Sequence, residues 1–215
     1  MSEQDTAKKR RQARKKKQIK RKNAFKIVRF FALAILILIV GIGVIGSIFK
    51  PSVIHLPVNK HVQSYEPVIE KYAKKYGIKQ YVELAEAVMM QESHGQGTDP
   101  MQSSEGNYNK KYPSDPGGIT DPEYSIDCGV HQLAEDLKEA GCKSTHDADG
   151  IKLALQGYNY GTGYIQWALK NYGGYSKENA IEFSEMMAKE YGLEAYGDKE
   201  YVRHVLRYYN INLNK

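Results

Sequence analysis

Apolar and polar positions fall into three successive patterns along the chain. From residue 1 to 29 the apolar positions are scattered among basic ones and mark no face. From Phe30 to Phe49 they run without a charge, and Ser47 is the lone hydroxyl. Beyond about residue 63 they recur every three or four residues, the period of helices with one buried face. Val68, Ile69, Tyr72, Ala73 and Tyr76 set the first helix, and Gly77 stops it. Further helices are predicted from Tyr81 to about Glu92, from near Ser125 to Ala140, and from Ile151 to Tyr158. Three more run from Tyr164 to Tyr172, Glu178 to Tyr191 and Lys199 to Tyr209. No run sustains period-two alternation, so the pattern predicts an all-α domain of about seven helices without a sheet. Ser93 to Pro122 breaks the periodicity with five glycines and four prolines. A structureless stretch of that length inside one domain is usually functional.

The unbroken run changes the picture first. Twenty residues in a helix, at about 1.5 Å each, span about 30 Å, the thickness of a bilayer's hydrocarbon core. Charge then orients it. Residues 1–29 carry 13 Lys and Arg against Glu3 and Asp5, a net of +11, while residues 50–215 carry 18 basic and 23 acidic residues, a net of −5. Basic residues crowded against one end of a span place that end in the cytoplasm. The overall +6 is therefore read as a topology signal, not as a nucleic-acid footprint. The run exceeds a signal peptide's apolar core of about 7–15 residues, and Ile48-Phe49-Lys50-Pro51 makes a poor cleavage site. The expected organisation is a basic cytoplasmic arm (1–29), a transmembrane anchor (30–49), a stalk (50–62) and a domain (63–215) outside the cell membrane.

Composition narrows the chemistry of that domain. All 17 tyrosines lie beyond residue 50, where Phe183 is the lone phenylalanine. Tyrosine's apolar face and hydroxyl suit a sugar polymer, and equally a small core and its rim. The six histidines show no paired-ligand spacing, so no metal and no organic cofactor are expected. A helix between Cys128 and Cys142 would hold their Cα atoms about 21 Å apart, too far for a disulfide. Two unpaired thiols are expected, both buried.

One acid stands out by position. Ala85, Val88, Met89 and Glu92 share a helix face, which puts Glu92 on the apolar stripe at the helix end, just before the irregular stretch. Burial and the negative helix terminus both raise a carboxyl pKa, as a glycosidase's general acid requires. An outward-turned Glu92 at a frayed end is the plainer reading of the same spacing.

Three segments carry a resemblance. Gln91-Glu92-Ser93-His94-Gly95 is similar to the Glu-Ser motif of the goose-type lysozyme and lytic transglycosylase superfamily. Pro100-Met101-Gln102-Ser103-Ser104-Glu105 resembles its Met-Gln segment, and Ala154-Leu155-Gln156-Gly157-Tyr158-Asn159-Tyr160-Gly161 its Tyr-Asn-x-Gly segment. Within that superfamily the chain most resembles the lysozyme-like muramidase domains of Gram-positive bacteria, in conjugative-element hydrolases and proteins of the pneumococcal vaccine antigen A type. The resemblance covers roughly Val62 to Tyr209.

It implies a lysozyme-like helical domain with a long cleft loop, and peptidoglycan glycan strands as the partner. Glu92 would protonate the bond between N-acetylmuramic acid and N-acetylglucosamine. Gln102, Ser103 and Ser104 would line the cleft floor, and Tyr158 and Asn159 would orient the sugar and hold Glu92. Asp99 matches a second acid of the muramidase branch, though Asp99-Pro100 also reads as an ordinary turn starter. Without a competent second carboxylate the enzyme would be a lytic transglycosylase that leaves a 1,6-anhydro sugar. A non-catalytic wall-binding or division-scaffold module is the rival from a different class. The intact set Glu92, Gln102, Tyr158 and Asn159 argues against it.

Overall fold

The computed structural model describes residues 55–211, which belong to the second of the chain's two units, Val53–Lys215. The basic arm and the candidate span at 30–49 lie outside the described residues. The described residues form eight α-helices and one 3-10 turn, with no strand. No helix among them is long and apolar enough to cross a membrane.

The most apolar helix is the central one. In α3 (Val82–Glu92) every side chain from Leu84 to Met90 is buried. A helix that is apolar nearly all round must be enclosed. Helices α1 (Lys60–Ser64), α2 (Glu66–Lys75) and α8 (Tyr201–Val205) pack around it. Helix α4 (Pro122–Glu139) packs on α2 and on α5 (Ala148–Tyr160), and α5 in turn packs on α8 and α6 (Thr162–Tyr172). A second, smaller core joins α5 and α6 to α7 (Lys177–Tyr191) through Leu153, Tyr160, Tyr164, Ile165, Ala168, Ala180 and Phe183. Its tyrosines stay satisfied while buried: the Tyr164 hydroxyl donates to Asn179 Oδ1 at 2.6 Å, and that of Tyr160 to the Ala180 carbonyl at 3.1 Å.

The predicted starts of α2, α3, α6 and α7 fall within two residues of those observed. Helix α4 begins three residues earlier than expected, because Asp121 caps it and Pro122 takes the first helical position, where a missing N–H costs nothing. Helix α5 likewise begins at Ala148, with the Asp147 side chain accepting from the Gly150 amide. The last helix is shorter than predicted. After Val205 the chain tightens (Tyr208 N–H to Val205 O, 2.9 Å) and turns Tyr209 into the core. Part of the stretch read as stalk is built into the domain. Asn59 caps α1, Val62 is fully buried, and the Leu56 amide donates to the Arg207 carbonyl at 2.7 Å. Cys128 and Cys142 are free thiols; Cys128 is buried and Cys142 only half-buried.

Candidate active site

Helix α3 delivers Glu92 as its last residue, and the chain then folds back on the helix end. The Ser93 amide donates to the Met89 carbonyl (3.1 Å), and its hydroxyl donates to the Pro100 carbonyl (2.7 Å). That hydroxyl also accepts from the Gly95 amide at 3.0 Å. The reversal needs left-handed backbone at His94 (φ 59°) and Gly95 (φ 76°). A side chain on Gly95 would sit 3.2 Å from Val62, so glycine serves both the turn and the close approach.

The Glu92 carboxyl is half-buried and accepts a short hydrogen bond from the Tyr201 hydroxyl. Burial pushes its pKa up to about 7; the Tyr201 hydrogen bond opposes the rise, and the charges of Asp99 and Asp198 add to it. Sequence reading missed Tyr201. It lies 109 residues from Glu92 and follows the apolar stripe of α8, so no local spacing marks it. Its own hydroxyl is pushed well above the usual tyrosine range by burial and by the Glu92 charge.

Asp99 is buried, and both its oxygens are occupied. Oδ1 accepts from the Ser103 amide (2.9 Å) and the Ser125 hydroxyl (2.6 Å). Oδ2 accepts from the Ser104 amide (3.1 Å) and the Ser104 hydroxyl (2.5 Å). Four donors from the cleft loop and α4 thus converge on one carboxylate. The loop they gather holds Gln102 in left-handed backbone (φ 48°), with its side-chain amide donating to the Asp99 carbonyl at 2.8 Å. Strained backbone of this kind persists where its surroundings over-determine it.

The other expected residues divide. A cavity of about 480 Å³ is walled by Gln102, Ser103, Tyr158 and Asn159, among others. Glu92, Asp99 and Ser104 do not line it. The Ser103 hydroxyl donates inward to the Ser125 carbonyl (2.8 Å), and Ser104, fully buried, accepts from the Ile119 amide (2.9 Å). Ser103 thus lines the cavity while Ser104 lies behind its wall, and the hydroxyls of both hold the loop. Tyr158 donates to the Met101 carbonyl at 2.9 Å and stacks on Tyr201 with ring centroids 6.4 Å apart, so it reaches Glu92 through Tyr201. Gly129 makes room for this pair; a methyl there would lie 2.5 Å from Met101 Cβ and 2.8 Å from the Tyr158 hydroxyl. Asn159 does not hold Glu92 either. Its Oδ1 accepts from the Asp198 amide at 2.6 Å, which fixes the turn that leads into α8.

The cavity wall carries tyrosines, amides and hydroxyls, with Glu105 its lone charged residue. Such a surface suits a neutral, hydroxyl-rich ligand with apolar faces. Two further carboxyls, Glu86 and Asp136, are pushed up to about 7, chiefly by burial, but neither lines the cavity. Among the described residues no cluster of three His, Cys, Asp or Glu could hold a metal ion.

Known proteins share this fold. The family model described as lysozyme-like matches residues 59–214. The chain is 40% identical over 147 residues to the bifunctional muramidase/DL-endopeptidase CwlT of Bacillus subtilis, covering 68% of this chain and 41% of that protein. It is 34% identical over 145 residues to a pneumococcal vaccine antigen A homolog of Streptococcus pyogenes, covering 66% of this chain and 64% of that one. A crystal structure from Staphylococcus aureus, described as similar to a lipoprotein of the NLP/P60 family, superposes with a TM-score of 0.61 at 30% identity. That match covers 72% of this chain and 54% of that one. The chain thus spans less than two thirds of each of these three relatives.

Proposed function

The chain belongs to the lysozyme-like family, and from that premise we propose that it is a glycosidase cutting the glycan strands of peptidoglycan. Glu92 is the general acid. It protonates the β-1,4 glycosidic oxygen between N-acetylmuramic acid and N-acetylglucosamine, which lets the bond break through an oxocarbenium-like state. The observation that carries this reading is the pairing of Glu92 with Tyr201 at the end of the central helix. A carboxyl pushed up to about 7 keeps its proton near neutrality, and one donated hydrogen bond fixes its direction. The similarity to a muramidase supports the substrate, and the tyrosine-rich cavity, with Glu105 its lone charged residue, suits a sugar chain. Residues 30–49 are proposed as the single membrane anchor, with the arm cytoplasmic and the domain facing the cell wall. The test is release of soluble muropeptides from purified cell wall by the full-length chain in detergent. Binding of wall without release would favour a scaffold module.

A second reading concerns how the cleaved sugar is captured. Hydrolysis by inversion or retention needs a second carboxylate free to activate water or attack C1. Asp99 has both oxygens occupied, and Asp198 accepts from the Glu200 amide (2.8 Å) and is paired with His204 (2.5 Å). This favours capture by the substrate's own hydroxyl, giving a 1,6-anhydro end. Mass analysis of the released muropeptides decides it: a terminal muramic acid one water lighter than the hydrolytic product marks the anhydro route.

Tyr201→Phe tests the pairing itself. The lost hydrogen bond had favoured the ionised acid, so the Glu92 pKa rises further. The alkaline limb of the rate profile should move to higher pH, with the maximal rate reduced severalfold by looser positioning. An unmoved limb, measured from initial rates between pH 5 and 9, would sink the assignment.

A further inference from the structure

We propose that Tyr108 is a sugar-stacking platform on the cavity wall and that His131 positions it. The inference rests on the glycan-cutting reading above and names a binding residue which that reading does not use. Tyr108 lies in the irregular stretch between α3 and α4, is half-buried, and lines the cavity beside Asn107 and Gln132. Its carbonyl is held from α4, where it accepts from the Cys128 thiol at 3.4 Å.

The ring has a deeper foundation. Its centroid lies 3.7 Å from that of His131, with the planes tilted by 35°. His131 in turn stacks on Tyr76, with centroids 4.1 Å apart and planes within 9°. Two rings so close to one imidazole must occupy its opposite faces. The result is a three-ring stack running from α2 through α4 to the cleft loop. Its far end is fixed, because the Tyr76 hydroxyl donates to Asp127 Oδ1 at 2.5 Å and Lys75 Nζ lies 4.8 Å from the Tyr76 ring centroid. Burial holds the His131 pKa below the usual imidazole range, which keeps the middle ring neutral and compatible with close stacking.

An aromatic ring backed in this way offers a fixed apolar surface, at low entropic cost, to the C–H face of a pyranose. Asn107 and Gln132 line the same cavity, and among the described residues no cation lines it. That chemistry fits an uncharged N-acetylhexosamine unit of the glycan strand. Packing of the loop alone would explain the stack without any ligand, and the experiment separates the two.

Initial rates of the full-length chain in detergent are measured on soluble, peptide-free peptidoglycan glycan strands. Tyr108→Leu keeps bulk but removes the ring, and should raise KM about tenfold with kcat within about twofold. Tyr108→Phe, which keeps the ring, should hold KM well below that of Tyr108→Leu. His131→Ala should raise KM about threefold or more, and His131→Phe, which restores a neutral ring, should recover it. Thermal melts accompany each variant. Parent-like KM in Tyr108→Leu, or a fall in kcat at constant KM in His131→Ala, overturns the proposal while leaving the glycosidase reading in place. A parent chain that cuts no strand overturns both.

Discussion

Glu92→Gln should reduce muropeptide release by about 10²–10⁴-fold, the range for loss of a positioned general acid. The substitution is nearly isosteric, and its amide oxygen still accepts from the Tyr201 hydroxyl. The fold is therefore expected to survive. Two controls make the prediction specific. The first is the parent's pH profile. The working form is the protonated acid, and its pKa is pushed up to about 7. The rate should fall as pH rises through about 7, and this limb should vanish in the residual activity of Glu92→Gln. The second is stability. A carboxyl with a folded pKa raised above its unfolded value stabilises the fold fully below the unfolded value. That stability is lost as pH rises through the folded value. The parent carries this burden at pH 8 and Glu92→Gln does not, so the variant should melt at or above the parent there. Parent-like release by Glu92→Gln would falsify the assignment of the acid.

The placement of Glu92 at the end of a buried helix was legible from the sequence because its signal is local. An acid on the apolar stripe at a helix end needs only the 3.6-residue period, and the helix is where that period puts it. The irregular stretch was legible for the same reason, since glycine and proline break the period at known places. Tyr201 and the inward hydroxyls of Ser103 and Ser104 were not. Their roles depend on partners brought together by the tertiary fold: Tyr201 on Glu92 and Ser103 on Ser125. No spacing within a helix or loop encodes such pairings. Helix ends were misplaced where polar residues served as caps, at Asp121 and Asp147, because polarity there reads equally well as loop. Asp99 is the instructive intermediate. Its residue type and its distance from Glu92 in the sequence admitted both a catalytic and a turn-forming role, and the four hydrogen bonds it accepts, which sequence cannot show, weigh toward the second.

Asp99→Ala should therefore lower both stability and turnover, and the order in which they fail identifies its role. The carboxylate accepts four hydrogen bonds, two from the backbone amides of Ser103 and Ser104 and two from the hydroxyls of Ser104 and Ser125. The hydroxyls can rotate to new acceptors, but the two amides are buried with their backbone and cannot. At about 1–3 kcal/mol for each orphaned donor, the loss is about 2–6 kcal/mol. Against a typical domain stability of about 5–15 kcal/mol, that lowers Tm by about 5–20 °C. Turnover falls with it, because the same bonds hold Gln102 in its left-handed pose on the cavity wall. Asp99→Asn should be intermediate, since one acceptor oxygen becomes a donor facing two N–H or O–H groups. A catalytic base or nucleophile would behave differently. Asp99→Ala would then melt like the parent, and added azide would replace the missing carboxylate and restore cleavage with a glycosyl azide product. A framework carboxylate gives the reverse pattern, with a depressed Tm and no azide rescue at any concentration the fold tolerates. Melting curves and azide titrations on the same two variants thus decide whether the second acid of this cleft acts on the sugar or on the loop that meets it.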